Sequence, residues 1–413
     1  MHIDFLLSVF EDCKKDEAIV WRGGAYSYKW LIDSTKQWIE QLHENKIKKG
    51  SIVAVHGDFS PNSIALILAL IHNNNIVVPL TQSVAANKDR FLEIAEVQYS
   101  ISIDDYDNAS YESIDKIVTK ELLIKLQHKK MPGLVLFSSG STGEPKAAVH
   151  DFVAILNKYK IRKQKKRMLT FLLFDHIGGV NTLFYILSNG GSIVTVQDRS
   201  PDEVLGAVEK YKVQILPTSP SFLNMILLSE AYKRYDLSSL ERITYGTETM
   251  PESTLRAINR VFPQVMLQQT YGLSEVGILS SQSKSSDSLW VKIGGEGFKT
   301  RVVDGMLQIK AESAMLGYLN APSPFTDDGW FITGDEVEID GDYYLIKGRR
   351  SEIINVGGQK VYPAEVESVI LQMDGVLDAV ITGENNPILG KIVTARVHLA
   401  DEEETVKDFT RRM

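Results

Sequence analysis

The chain has 413 residues, of which 44% are hydrophobic. That is enough for two or three domains with sizeable cores, and it excludes a disordered or fibrous protein. Lys plus Arg number 45 against 53 Asp plus Glu, and the net charge of −8 argues against nucleic acid or another generic polyanion as the partner. The single cysteine, Cys13, forbids an intramolecular disulfide and a thiolate zinc site, and it fits a reducing compartment.

The N-terminal run MHIDFLLSVFEDCKKDE has no basic residue before its short apolar stretch and acids within and after it, which makes a poor secretory signal. Residues 51–55 read as a buried strand, residues 61–71 as a helix capped by Ser60, and residues 76–80 as the next strand. The apolar run 64–71 stops at His72, Asn73, Asn74 and Asn75. It falls far short of the roughly 20 residues that span a bilayer. A cytoplasmic protein with no membrane span is expected. Residues 133–139, 191–196 and 213–217 read as further strands. Their alternation with amphipathic helices predicts layers built on parallel strands.

The texture changes after about Lys284. Residues 281–288 (SQSKSSDS) read as a polar loop, and residues 294–348 as a glycine-rich antiparallel β subdomain. A second change falls at Gly348-Arg349-Arg350-Ser351-Glu352. Beyond it Pro363 opens a helix, and residues 379–382 and 392–399 read as strands. The expected fold class is α/β. A large N-terminal domain, residues 1–350, stacks mostly parallel sheets with helices and ends in the β subdomain. A hinge near Ser351 leads to a small α+β domain, residues 351–413, incomplete at Met413.

The most informative segment runs from a strand into Ser138, Ser139, Gly140, Ser141, Thr142, Gly143, Glu144, Pro145 and Lys146. Glycines let the backbone turn its N–H groups onto a phosphate, hydroxyls add donors and lysine adds charge. It is not a Walker loop, because Glu144 and Pro145 separate Gly143 from Lys146. A bare Ser/Gly cluster reads as readily as a flexible surface loop. The Thr-Gly-x-Pro-Lys ending is far more specific.

Other motifs stand in a fixed order after it. They are Gly246-Thr247-Glu248, Tyr271-Gly272-Leu273-Ser274-Glu275, Gly317-Tyr318, the run from Asp328-Gly329-Trp330 to Thr333-Gly334-Asp335, Gly348-Arg349, and residues 353–367. Together, from about Ala18 to the last residue, they resemble the adenylate-forming superfamily of acyl-CoA synthetases, peptide-synthetase adenylation domains and firefly-type luciferases. The resemblance implies ATP-dependent conversion of a carboxylic acid to an acyl-adenylate, then transfer to the thiol of CoA or of a carrier-protein phosphopantetheine, releasing AMP. It implies that the segment from Ser138 to Lys146 cradles the β- and γ-phosphates, with Thr142 and Lys146 catalytic. Glu275 would hold Mg²⁺, Ser274 the α-phosphate, and Tyr271 and Gly272 the adenine, facing the loop of Gly246, Thr247 and Glu248. Asp335 would take the ribose hydroxyls and Arg349 a second ribose or phosphate contact. Taken singly, Tyr271 reads as a core aromatic, Asp335 as a turn residue and Arg349 as a surface charge.

His176, in Phe174-Asp175-His176-Ile177-Gly178-Gly179, reads alone as a structural histidine. The resemblance to acyl- and aryl-acid members sets it at the carboxylate end of an acid pocket, with Gly179 and Gly246 beside the substrate. A fatty or aryl acid is favoured. Asp175 keeps an amino-acid adenylation domain open, since such domains place an aspartate nearby to pair with the α-amino group. A non-catalytic adenylate binder is the other alternative. Gly357 and Gly358 fall where the family threads the pantetheine arm. Residues 158–167 (KYKIRKQKKR) hold five lysines and two arginines. They read as a solvated helix face or as a docking patch for an acidic acyl carrier protein or a CoA phosphate. The resemblance also implies a late catalytic lysine, which nothing before Met413 matches. Lys391 aligns better with an earlier strand, and Asn355 stands where many members have lysine. A form that binds nucleotide better than it adenylates is therefore expected.

Overall fold

The structure, a computed structural model, describes residues 2–139, 144–386 and 390–400. Gly140, Ser141, Thr142 and Gly143 of the expected phosphate loop lie outside the described residues, as does the Ser139 side chain.

Among the described residues, two seven-stranded sheets form the large part of the molecule. In the first, Met266–Gln269, Arg242–Tyr245, Ile215–Thr218, Arg167–Leu169, Ser192–Val194 and Glu17–Trp21 run parallel, and Gly24–Ser27 closes the edge as a hairpin. In the second, Gly133–Ser139, Ile76–Leu80, Ile52–His56 and Tyr99–Ile103 run parallel between antiparallel edges. The central strands lack polar alternation because both faces are covered: Ile76–Leu80 is buried at every position.

Helices fill the space between these sheets. Pro61–His72 is apolar all round, as a helix covered on every side must be. It starts where the sequence says: Ser60 accepts from the Ser63 N–H and Pro61 takes the first turn. Such a cap contributes about 1 kcal/mol. One core joins Ile64 and Leu68 of this helix, Leu183 and Leu187 of helix Ile177–Ser188, Val53 and Leu134 of one sheet, and Ile19 and Ile193 of the other. Helices Pro201–Tyr211, Pro220–Ser229 and Glu252–Val261 cover the outer face of the first sheet.

The antiparallel subdomain is present as a six-stranded sheet, with order Ser280–Ser283, Trp290–Gly294, Tyr343–Arg349, Phe331–Asp340, Met306–Ala311 and Phe298–Val303. One boundary differs from expectation. The polar run 281–288 is not all loop, because Ser280–Ser283 pairs with Trp290–Gly294. As an edge strand with one exposed row, it needs no apolar residues there. The last described residues form a four-stranded sheet, Gln359–Val361, Ile354–Val356, Gly390–Leu399 and Val376–Asn386, packed on helix Pro363–Ile370. Ile354, Ile370, Ala379 and Ile381 give it a separate small core. It touches the rest through Ser253 N–H to Ser368 Oγ at 3.0 Å, Lys360 to Glu336 at 2.7 Å, and a Lys347–Glu365 ion pair. Among the described residues no helix is long and apolar enough to cross a membrane.

Candidate active site

A cavity of about 1340 Å³ opens beyond the carboxyl ends of Ile215–Thr218, Arg242–Tyr245 and Met266–Gln269. Crevices at such strand ends are where open α/β sheets bind ligands. Ser138, Lys146, His176, Gly246, Thr247, Gly272, Ser274, Glu275 and Arg349 all line it.

At one side the short strand Gly317–Tyr318 pairs with Pro145–Asp151, the strand that follows the glycine-rich segment. This brings three motifs to one point. The Tyr318 hydroxyl donates to Glu275 Oε1 at 2.5 Å, and Lys146 Nζ lies 5.6 Å from the Tyr318 ring centre. Burial and the Glu275 charge push the Tyr318 hydroxyl well above its ordinary range, so it stays a donor. Asn320 fixes the strand: its Oδ1 accepts from Ala147 N–H at 3.0 Å and its Nδ2 donates to the Pro145 carbonyl at 2.8 Å. Sequence reasoning passed over Asn320. Its position two residues after Tyr318 was the only signal.

A second cluster joins Tyr271, Asp335 and Arg349. Asp335 and Arg349 face each other across adjacent strands, with Arg349 Nε 3.8 Å from Asp335 Oδ1. Tyr271 donates its hydroxyl to Asp335 Oδ2. The Tyr271 ring packs with Leu273, Val276 and Phe331 and does not line the cavity. Asp335 is only 5% exposed, and burial raises its carboxyl pKa against the opposing pull of Tyr271 and Arg349.

The Gly246-Thr247-Glu248 loop is tight. A Cβ on Gly246 would come within 2.5 Å of Thr270 Oγ1, so only glycine fits. Thr247 holds φ +73°, a left-handed conformation that costs a β-branched residue ~1–3 kcal/mol. The Glu248 carboxylate accepts from the N–H and hydroxyl of Ser221, at 3.1 and 2.5 Å, and so ties the loop to the start of helix Pro220–Ser229.

His176 ends the loop before helix Ile177–Ser188, and its side chain is 60% exposed. Asp175 turns the other way. It is buried, accepts a hydrogen bond from Thr81, and sits 3.8 Å from His176 Nε2. Gly179 does not line the cavity: a Cβ there would meet the Leu173 carbonyl oxygen at 1.9 Å, so this glycine lets the helix start pack on the preceding loop. Further along the helix Asn181, Thr182 and Tyr185 line the wall, and Lys158 enters opposite them. Lys158 Nζ donates to Asn181 Oδ1 at 2.7 Å and to the Ile278 carbonyl at 3.0 Å. Burial, with a contribution from the Lys163 charge, pushes its pKa down to about 7.

The basic run 158–167 is exposed from residue 160 to 165 and turns inward at Lys158. Lys158 and Lys163 line the cavity, while Arg162, Lys165, Lys166 and Arg167 pair with Asp12, Asp16, Glu241 and Glu17 at 3.3, 2.6, 2.5 and 2.9 Å. Gly357 and Gly358 form the turn between Ile354–Val356 and Gln359–Val361, with φ of +55° and +90°, outside the cavity wall.

Parallel strands that end at a cleft rimmed by a lysine, a carboxylate and tight glycine loops define an α/β nucleotide-binding protein. The family described as AMP-binding enzyme matches residues 9–308, and the chain belongs to it. It is 26% identical to the indoleacetate–CoA ligase of Aromatoleum aromaticum, with 90% of this chain and 82% of that protein covered. It is 24% identical to the 2-succinylbenzoate–CoA ligase of Bacillus pumilus, covering 92% and 84%. Among solved structures, the anthranilate CoA ligase AuaEII with anthranoyl-AMP superposes with a TM-score of 0.83 at 18% identity, covering 100% of this chain and 89% of that one. ATP-bound MatB from Rhodopseudomonas palustris gives 0.82 at 21% identity, covering 100% and 92%. These neighbours share the architecture of a large N-terminal part and a smaller C-terminal one.

Proposed function

We propose that the chain is an acid–thiol ligase that activates a carboxylic acid with ATP and passes the acyl group to the thiol of CoA. One observation carries this reading: a single cavity is lined by Lys146, Ser274 and Glu275 and also by His176, so an α-phosphate and a carboxylate can meet inside it. In the first half a carboxylate oxygen attacks the α-phosphorus, the bond to the β-phosphate bridge breaks, and pyrophosphate leaves. In the second half the thiol sulfur attacks the acyl carbon, its proton is lost to solvent, and AMP leaves.

Each group has a physical task. Lys146, Ser138 and the segment from Ser139 to Gly143, with Thr142, neutralise and orient the β- and γ-phosphates. Ser274 donates to the α-phosphate. Asp335 and Arg349 take the ribose side, with Tyr271 holding Asp335 in place, and Gly246, Thr247 and Gly272 flank the base. Glu275 suits Mg²⁺, which binds through one or two carboxylates plus substrate phosphates, and Tyr318 orients that carboxylate. When bound, the ion neutralises triphosphate charge. His176 orients the acid. The buried Asp175, already bonded to Thr81, favours an aryl or fatty acid over an α-amino acid. The CoA ligases among its relatives favour CoA over an acyl carrier protein as acceptor. Residues 351–413 act as the small domain, turning near Ser351 to bring Gly357 and Gly358 to the thiol's path.

The test is ATP–pyrophosphate exchange across a panel of acids, followed by acyl-CoA formation. Exchange with aryl or fatty acids and CoA-dependent AMP release are expected. Exchange confined to α-amino acids would move the reading to amino-acid adenylation, and AMP binding without exchange would leave an adenylate binder.

A further inference from the structure

Lys158 stands in the cavity wall with no part in acid activation. Lys158 enters from the turn Asn157–Tyr159, and two of its three N–H donors meet neutral acceptors, Asn181 Oδ1 and the Ile278 carbonyl. Among the described residues no carboxylate lies within 4.0 Å of it. A buried ammonium without an anion is costly, and an apolar side chain of that length would serve packing better. The cost shows in its pKa, pushed down to about 7 mainly by burial.

Asn181 makes the deficit larger. Its Oδ1 already accepts from Lys158 and from the Tyr159 hydroxyl at 2.8 Å, which leaves the amide Nδ2 as the face it can offer the cavity. Among the described residues the corner thus gathers donors onto neutral acceptors and lacks an anion. A carboxylate, acceptor-only with two oxygens, is its complement. Asn181 lies five residues beyond His176 along the helix, a rise on the order of 7.5 Å.

We infer that Lys158 and Asn181 form an anion site at the far end of the acid pocket, and that the preferred substrate is a dicarboxylic acid. One carboxylate reacts near His176 and the other is held by Lys158. This rests on the acid-activating reading of the cavity. The helical rise suits a diacid of roughly six to eight carbons, or an aryl acid of similar length.

The experiment compares adipate, pimelate and suberate with their monomethyl esters in ATP–pyrophosphate exchange, using the full chain. The wild type should favour diacid over ester by about 100-fold in kcat/KM, since a site built for a polar group rejects the analogue that leaves it unpaired. In Lys158→Met that ratio should fall to about one. A second readout needs no variant. Pairing requires the protonated amine, so the diacid KM should rise above about pH 7 while the ester KM stays level; Lys163 and Tyr159 are the other ionisable groups facing this amine. Equal use of diacid and ester by the wild type, or a ratio unchanged in Lys158→Met, would overturn the anion site and leave acid activation standing. Exchange with none of the acids in any panel would overturn both.

Discussion

The two ends of the cavity are built on different terms. At the end proposed for the nucleotide the protein pairs its own groups: Tyr318 with Glu275, and Tyr271 and Arg349 with Asp335, which is buried behind the cavity wall. At the acid end Lys158 is left to neutral partners. A self-paired site is preorganised, with each charge held by a protein partner before any ligand arrives. A site with an unpaired buried charge destabilises the free protein and recovers that energy on binding. The nucleotide end is therefore read as a fixed frame and the acid end as the place where substrate choice is made.

The largest expected effect tests the frame. Lys146→Met should lower adenylation by ~10²–10³, because one positioned charge on the phosphates is lost. ATP–pyrophosphate exchange measures it, with acyl transfer from a synthetic acyl-adenylate to CoA as the control. Equal loss in both halves would mean that Lys146 holds the fold of the segment and not the phosphates. Next, Asp335→Ala should weaken AMP binding by about 10–100-fold, the loss of charge-assisted hydrogen bonds worth ~1–3 kcal/mol. Calorimetry with AMP reads it. Unchanged affinity would mean that Asp335 serves Tyr271 alone.

How much of this was legible beforehand follows the same division. Strands such as Ile52–His56 and Ile76–Leu80 announced themselves because buried parallel strands are apolar throughout. Ser280–Ser283 did not, because an edge strand carries no such signature. The residues proposed for the nucleotide lie within short ordered motifs, and Lys146, Ser274, Glu275 and Arg349 line one cavity. Tyr271 and Glu248 reach their neighbours differently: the first bonds Asp335 from the core and the second holds Ser221. Lys158 was hidden by its surroundings. In a run of seven cations every compositional argument says surface, and only the turn Asn157–Tyr159 directs one of them inward.

The third expectation sharpens the contrast through stability. Lys158 has its pKa lowered from 10.5 to about 7 in the folded chain. Between those values the unfolded state binds more protons, so stability rises with pH across roughly 7 to 10.5 and the burial cost is fully present below 7. Lys158→Met should remove that slope and be most stabilising relative to wild type near pH 6. Asp335 has its folded pKa raised above 3.8, so stability falls as pH rises from 3.8 and the burial cost is fully present above the folded value. Asp335→Asn should raise the melting temperature at neutral pH, with the gain fading as pH falls toward 3.8. Melting curves of each variant against wild type over roughly pH 3.5–10 check both. A Lys158→Met difference independent of pH would show that the amine does not titrate in this range.

The smallest effect concerns Thr247, which lines the cavity at φ +73°. Thr247→Gly removes a strained β-branched residue, and with it part of the ~1–3 kcal/mol that such a conformation costs. Glycine also adds unfolded-state entropy, which takes back ~0.5–1 kcal/mol. The net change in stability should therefore be a gain of about 1 kcal/mol or less. Function should move the other way. The hydroxyl that donates to the Gly246 carbonyl at 2.5 Å is lost, and the loop beside the base becomes freer. The KM for ATP should rise a few-fold while the acid KM stays constant, since the loop belongs to the self-paired frame. Chemical denaturation and paired KM measurements read the two sides. A rise in the acid KM of the same size would mean that the two ends of the cavity are coupled through this loop, and the division between frame and choice would have to be redrawn there.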